Sequence, residues 1–336
     1  MITFNMEVKN ADPILRDLLG AINDVKVAGS LCISRLQSDD ESNAGTTDSL
    51  LGVLGLKASR LPEIANILGI RSITTNTLHD FEALSKLNVA LPSGEIERYV
   101  WAFFKDDAVI EELRSLFRNC STVAFDDWAN MTGASLLWNG LLTDVIKPLG
   151  RKDLEFIFYL GDSSKKLSFE VDEAVDIISA FSNYGKVTLA LDDNEALRLW
   201  MVLNGVKKNS SFEEETPSDL KKKYISLFRT MKVAQLLIWS GNDVLLFSEQ
   251  EQFIISRKQV DPGIEMSPDA RRNYSTGFSI GLLMQLDITH CILLGLIVYA
   301  SFGELKACPQ LTDLTEYIQR WIDDLQKPGS IQLYED

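Results

Sequence analysis

The sequence predicts an α/β protein with a central, mainly parallel sheet flanked by helices. Two observations carry that expectation. Short β-rich apolar runs alternate with longer stretches whose apolar residues recur at helical spacing, the pattern of βαβ units. The chain is also long enough to bury a sizeable core, with 336 residues of which 46% are hydrophobic.

The elements follow in order. Val25–Ile33, Thr122–Phe125, Leu154–Leu160, Lys186–Leu191 and Ala234–Trp239 are dense in β-branched and aromatic residues and read as strands. Between them, Asp107–Phe117 places Val109, Ile110, Leu113 and Leu116 on one helical face. Val171–Phe181 and Asn194–Leu203 repeat that spacing. After Trp239 the texture changes. Ser240-Gly241-Asn242-Asp243 is a turn, and Val244–Phe247 and Phe253–Ser256 form a hairpin-like pair of short strands. Two apolar helices, Gly277–Leu286 and Thr289–Phe302, come next, with Asp287 as N-cap of the second. Leu311–Leu325 is a closing amphipathic helix, and residues 327–336 form an acidic tail. Residues 1–326 are expected to form a single domain. Gln37–Thr47 and Asn209–Ser218 are polar and turn-prone and read as connecting loops.

Charge and composition remove several functions. Lys+Arg 33 against Asp+Glu 48 leaves a net charge of −15. Phosphate-backbone binding runs on clustered Lys and Arg, so no nucleic-acid partner is expected, and no anionic membrane surface. Cys32, Cys120, Cys291 and Cys308 contain no C-x-x-C pair, and His79 and His290 stand alone, which argues against zinc and metalloprotease sites. There is no G-x-G-x-x-G, and Gly185-Lys186 continues into Val187 where a P-loop needs Ser or Thr. Met1–Pro13 lacks an apolar signal region, and Phe278–Phe302 is interrupted by Asp287 and His290. A cytoplasmic protein with a buried apolar helix is the expectation.

Some polar residues sit where α/β proteins bind ligands. Asp126 and Asp127 follow a strand end and could accept sugar hydroxyls. Lys165 and Lys166 follow Gly161-Asp162-Ser163-Ser164, also past a strand, and could meet a phosphate or sugar. Each has a plainer reading as solvated loop. Arg271 and Arg272 could bind an anion at a helix N-terminus or pair with surface acids such as Asp269.

Taken as ordered segments, residues 120–326 resemble the PfkB carbohydrate-kinase family, of the ribokinase-like fold. The similarity lies in LEFIFYLGDSSKK (Leu154–Lys166), in YGKVTLALDDNEALRLWMVLNG within Ile177–Gly205, in LIWSGNDVLLF (Leu237–Phe247), and in Asp269–Phe302 with its two apolar helices. The resemblance implies a nucleotide side at the Gly241-Asn242 turn. It also implies a Gly-Gly-x-x-x-Asn substrate element in the N-terminal third, which this sequence lacks, so the lid region is reduced or altered. The family's N-x-x-E element, which organises water and Mg²⁺, corresponds to Asp192-Asp193-Asn194-Glu195, making Asp192 and Glu195 water-mediated magnesium candidates.

The family signature G-A-G-D-x-F-x-x-G-F falls without a gap on Asp269-Ala270-Arg271-Arg272-Asn273-Tyr274-Ser275-Thr276-Gly277-Phe278. Ala270, Tyr274, Gly277 and Phe278 match in kind. Asp269 and Arg271 replace the two glycines, and Arg272 stands at the catalytic aspartate. A gapped alternative puts Ser275-Thr276-Gly277 directly after the strand; it also leaves no base. In the family the glycines let backbone N–H groups approach a transferring phosphoryl group, and the aspartate takes a hydroxyl proton. Arginine stays protonated and accepts nothing. Three expectations remain. The chain is a PfkB-like sugar or nucleoside kinase homologue that has lost phosphotransfer and binds a ligand, ATP among them, or regulates. Otherwise it is a divergent active kinase, or a structural partner in a homodimer or larger assembly.

Overall fold

A computed structural model describes residues 6–23, 31–35, 101, 107–119, 122–126, 128–130, 133–206, 216–240, 243–257, 270–284, 286–305 and 309–326. It is a mixed α/β fold, with a mainly parallel sheet and flanking helices. The chain divides into two compact units: Met1–Gly29, Ser59–Ser72 and Leu237–Asp336 form one, and Ser30–Ala58 and Ile73–Leu236 the other.

Among its described residues the second of these units has four parallel strands, β2 (Leu31–Arg35), β3 (Thr122–Asp126), β4 (Leu154–Tyr159) and β5 (Gly185–Asp192), hydrogen-bonded in the order β5-β4-β3-β2. Helix α2 (Asp107–Asn119) leads into β3. Between β3 and β4 lie α3 (Ala134–Gly140), a π-helical segment Leu141–Ile146, and a last turn α4 (Lys147–Leu149). Helix α5 (Ser168–Phe181) joins β4 to β5, and α6 (Asp193–Leu203) and α7 (Pro217–Met231) follow. Strands covered on both faces read as continuous apolar runs. In β4, accordingly, Phe156, Ile157, Phe158 and Tyr159 are all buried. Phe158 stacks on its register partner Phe125 with ring centroids 4.6 Å apart. Trp138 of α3 and Phe181 of α5 meet Phe158 edge-on at 5.0 and 5.1 Å. Edge and offset contacts of this kind add ~0.5–1.5 kcal/mol each beyond the area they bury. The π-helical segment is held from outside: Trp101 donates from Nε1 to Asp144 Oδ2 at 2.7 Å, and Arg114 donates to the Asp144 carbonyl.

The other unit carries β1 (Glu7–Val8), β6 (Gln235–Ser240, from Leu237 onward), β7 (Asp243–Ser248) and β8 (Gln252–Ser256) in the order β1-β8-β7-β6. β7 and β8 run antiparallel and β1 joins β8 in parallel. Among the described residues it has four helices: α1 (Ala11–Asn23), α8 (Ala270–Leu283), α9 (Ile288–Leu305) and α10 (Leu311–Leu325). The α8–α9 crossing is close because it is built on glycine. A Cβ at Gly277 would lie 2.5 Å from the Leu294 carbonyl oxygen, and one at Gly281 2.7 Å from the Cys291 Cα. Gly295 makes room for the Tyr274 ring, which stacks on Trp239 of β6 at 4.6 Å. Helix α9 packs against α1 and α10, and it is long and apolar enough to cross a bilayer by length and composition. Cys291 through Phe302 are all buried inside the protein. Arg257, at the end of β8, lies over the Tyr317 ring of α10 and 3.8 Å from Glu304, which also binds Arg320 at 2.6 Å. Burial pushes the Tyr317 phenol far above its ordinary range, the Arg257 charge only partly opposing it.

Several expectations change. Helices α1, α3 and α7 were not expected, and α7 takes in Pro217 and Ser218, which read as loop. Its Thr216 N-cap and Pro217 at the first helical position make a helix start out of a turn-like sequence. Helix α8 begins at Ala270 rather than Gly277. Asn273, Ser275 and Thr276, early in the helix, are buried but polar in type, so apolar spacing does not reveal them. The Val25–Ile33 strand is described only from Leu31. The break at Asp287 holds: the Asp287 carbonyl accepts from Cys291 N–H at 3.0 Å, as an N-cap residue does.

Candidate functional site at the strand ends

In the four-strand unit, polar groups gather at the carboxyl ends of β3, β4 and β5, where α/β sheets bind ligands. β3 ends at Asp126, level with Tyr159 of β4 and hence with Ala190 of β5. The Asp126 side chain and the whole of Asp127 lie outside the described residues. The short 3₁₀ turn Trp128–Asn130 is tied to β4 by Ala129 N–H donating to the Leu160 carbonyl at 2.8 Å.

Beyond β4 the chain reverses at Gly161, whose φ of 74° is left-handed and suits glycine. Asp162 then caps a second 3₁₀ turn, Ser163–Lys165, accepting from Ser164 N–H at 3.0 Å. Arg198 of α6 donates to the other Asp162 oxygen. Burial raises the Asp162 carboxyl, but the Ser164 hydrogen bonds and the Arg198 charge outweigh it and hold it below the usual range. Ser163 is fully buried, and its hydroxyl has no hydrogen-bond partner among the described residues. Lys165 is exposed, and the Lys166 ammonium lies 5.5 Å over the Trp128 ring.

At the end of β5, Asp192 and Glu195 form a reciprocal capping box on α6. Asp192 Oδ1 accepts from Glu195 N–H at 2.7 Å, and Glu195 Oε2 accepts from Asp192 N–H at 3.1 Å. Burial pushes the adjacent Asp193 carboxyl up, and the Asp192 charge adds to this. Among the described residues no third His, Cys, Asp or Glu joins the pair to make a metal cluster. Each carboxylate commits one oxygen to the cap.

In the other unit, α8 opens at Ala270, with Arg271 and Arg272 in its first turn. The side chains of these three residues, and all of Asp269, Gly241 and Asn242, lie outside the described residues. Ser275-Thr276-Gly277 sits inside the helix, which removes the gapped alignment that placed it directly after the strand. Asn273 is only 1% exposed, and neither its amide oxygen nor its nitrogen has a hydrogen-bond partner among the described residues. Next in sequence to Gly241 and Asn242, Asp243 accepts from the Ser256 hydroxyl. Burial raises its carboxyl above the ordinary value, and the Ser256 bond opposes that.

The structure therefore brings Asp162, Asp192 and Glu195 into helix-capping roles at neighbouring strand ends. Sequence reasoning missed the Arg198–Asp162 pair and the buried Ser163 hydroxyl. No pattern links Arg198 to Asp162 across 36 positions. Ser163 reads as loop until β4 and the 3₁₀ turn enclose it.

No protein-family model matches the sequence, and no curated protein matches it. Among solved structures it is similar to a carbohydrate kinase from Agrobacterium tumefaciens, with 12% identity, a TM-score of 0.46, and 91% of this chain and 84% of that one covered. It is also similar to a protein assigned as a sugar kinase from Clostridium perfringens, with 13% identity, a TM-score of 0.45, and 65% of this chain and 59% of that one covered. A nucleoside kinase from Methanocaldococcus jannaschii gives 14% identity, a TM-score of 0.41, and coverage of 60% and 57%. The chain thus spans less than two thirds of the last two. At these scores the likenesses carry over neither an activity nor a ligand.

Proposed function

We propose that this protein is a ribokinase-like relative of sugar and nucleoside kinases whose phosphotransfer is lost or much reduced, and that it acts as a ligand-binding or regulatory protein. The observation that carries the reading is the start of α8 at Ala270, which puts Arg271 and Arg272 in a helical first turn. The ungapped signature gives that turn Arg272 where the resembled family keeps its aspartate. A guanidinium has no acceptor and stays charged, so it cannot take the hydroxyl proton. Loss of a positioned base lowers the rate by about 10²–10⁴. Side chains at 269 and 271 also stand where the family's glycines admit phosphate, and an impaired oxyanion hole takes about another 10²–10³.

A bound nucleotide would have the α8 N-terminus, Gly241 and Asn242 as its contacts. A sugar or nucleoside would meet Asp126, Asp127 and Lys165 at the strand ends. We assign no step to magnesium. The cytoplasm is the proposed location.

Thermal-shift measurements with ATP, ADP and a panel of sugars and nucleosides test the reading, because a ligand that binds only the folded state raises the melting temperature. The expected result is a shift with at least one ligand and no phosphorylated product. Robust phosphorylation abolished by Asp269→Ala would make the chain an active, divergent kinase. No shift with any ligand would make it a structural partner.

A further inference from the structure

The outer face of α5 carries an ordered sequence of surface chemistries. Leu167 and Phe169, at the N-terminal end of the helix, are 62% and 65% exposed. Leu136 on α3, a helix that packs against α5, is 49% exposed. Immediately before them comes Lys165, which is exposed, and Lys166, which is half-buried. Immediately after Phe169, Asp172, Glu173 and Asp176 are exposed. They follow at helical spacing, so they lie on the same side of α5 as Phe169. Val171, Ala174, Val175, Ile177 and Ile178 fill the buried side. The Leu167 start is itself fixed, since Glu170 Oε2 accepts from Leu167 N–H at 2.9 Å and the Leu167 carbonyl accepts from Glu170 N–H at 3.0 Å.

Along the chain, from the 3₁₀ turn into the helix, the exposed residues are basic, then apolar, then acidic. Such a stripe is self-complementary under a two-fold axis through its apolar middle. Reversed onto a second copy, its lysine end meets the acidic end of the partner, and the same contact repeats on the other side, as an isologous interface requires. The acidic segment repels phosphate-bearing surfaces, so neither a nucleic acid nor an anionic bilayer suits it. A foreign protein would need the same three chemistries in the reverse order. This chain already supplies them.

We propose that a second copy of this protein docks on the Leu167–Phe169 patch, with Lys165 of each protomer facing the Asp172–Asp176 segment of the other. It invokes no ligand, and it takes Lys165 as an interface residue in place of the substrate contact proposed above.

Sedimentation equilibrium of the full chain tests it. A reversible dimer at micromolar concentrations is expected, and a monomer throughout would overturn the proposal. Phe169→Asp should weaken association by about tenfold or more. Because Phe169 is exposed, its circular dichroism and melting should be unchanged. Lys165→Glu and Glu173→Lys should each weaken the dimer several-fold, and the two together on one chain should restore it, since the reversed charges then face each other again. A dimer indifferent to Phe169→Asp, or a double charge reversal no better than the singles, would place the interface elsewhere.

Discussion

The capping box at the end of β5 allows a prediction that separates architecture from chemistry. Replacing Asp192 by Ala removes the oxygen that accepts from Glu195 N–H at 2.7 Å, leaving a helix N-terminal donor unsatisfied. The reciprocal bond, Glu195 Oε2 with Asp192 N–H, survives because it uses backbone at residue 192. Loss of an N-cap costs about 1 kcal/mol, within ~0.5–2. Removing a negative charge from the positive end of the helix dipole costs about another 0.3–1 kcal/mol. A small gain offsets part of this, since the Asp192 charge bears unfavourably on the half-buried Asp193. The net expectation is a loss of about 1–2 kcal/mol, read as a lower urea midpoint with an unchanged slope. Asp192→Ser keeps an acceptor in place and should fall within about 0.5 kcal/mol of the parent. If Asp192→Ala is as stable as the parent, or Asp192→Ser is as damaging as Asp192→Ala, the cap is not what this residue provides. The same three proteins melted with Mg²⁺ and with EDTA give a second reading. Capping alone predicts one common response. A magnesium-dependent shift present in the parent and absent in both variants would put a metal ion at these carboxylates.

Three further predictions concern the other unit. Gly277→Ala sets two effects against each other: Ala favours a helix by ~1 kcal/mol over Gly, but its Cβ would fall 2.5 Å from the Leu294 carbonyl oxygen and 2.9 Å from the Gly295 Cα. Backbone cannot step aside cheaply, so overpacking wins and the variant should lose about 1–2 kcal/mol in urea unfolding. Gly20→Ala on α1, where a Cβ meets nothing within 4 Å, should gain about 0.4–1 kcal/mol. Asp243, whose folded value lies above the ordinary 3.8, should make stability fall as pH rises from 3.8 through that folded value, because the unfolded chain then releases the proton first. Asp243→Asn keeps an oxygen for the Ser256 hydroxyl and should be more stable than the parent at about pH 7 but equal to it at about pH 3. Equal stability at both would show that burial does not strain this carboxyl.

Much of the sheet was legible in the sequence. β4 and β5 are long apolar runs between polar breaks, and their expected bounds differ from the observed ones by a residue. Helix α10 appears as expected, Leu311–Leu325, because its apolar face, with Leu314, Ile318, Trp321 and Ile322, keeps helical spacing. The start of α8 was hidden because Asn273, Ser275 and Thr276 are buried through packing rather than through apolar character. In α3, apolar residues crowd more than one face, and the passage into a π-helical turn disturbs the period that would have announced it. At the candidate site, the Asp192–Glu195 spacing was legible, but it is shared by a capping box and by the family's magnesium element, so spacing alone could not assign it. The Arg198–Asp162 pair and the enclosure of Ser163 arise from tertiary packing and have no local signature.

The glycines of α8 and α9 bear on what could be rebuilt in this protein. Gly277, Gly281 and Gly295 serve the crossing of two helices, and none lies in the first turn of α8. The first turn, Ala270 to Arg272, precedes the crossing, so the glycines that seat the rod lie further down. Its chemistry can therefore be rewritten without touching the seating of the rod. A glycine-bearing loop grafted onto positions 269–272 would meet a support already in place, which makes this chain a suitable recipient for asking how little sequence separates a binding scaffold from a catalyst.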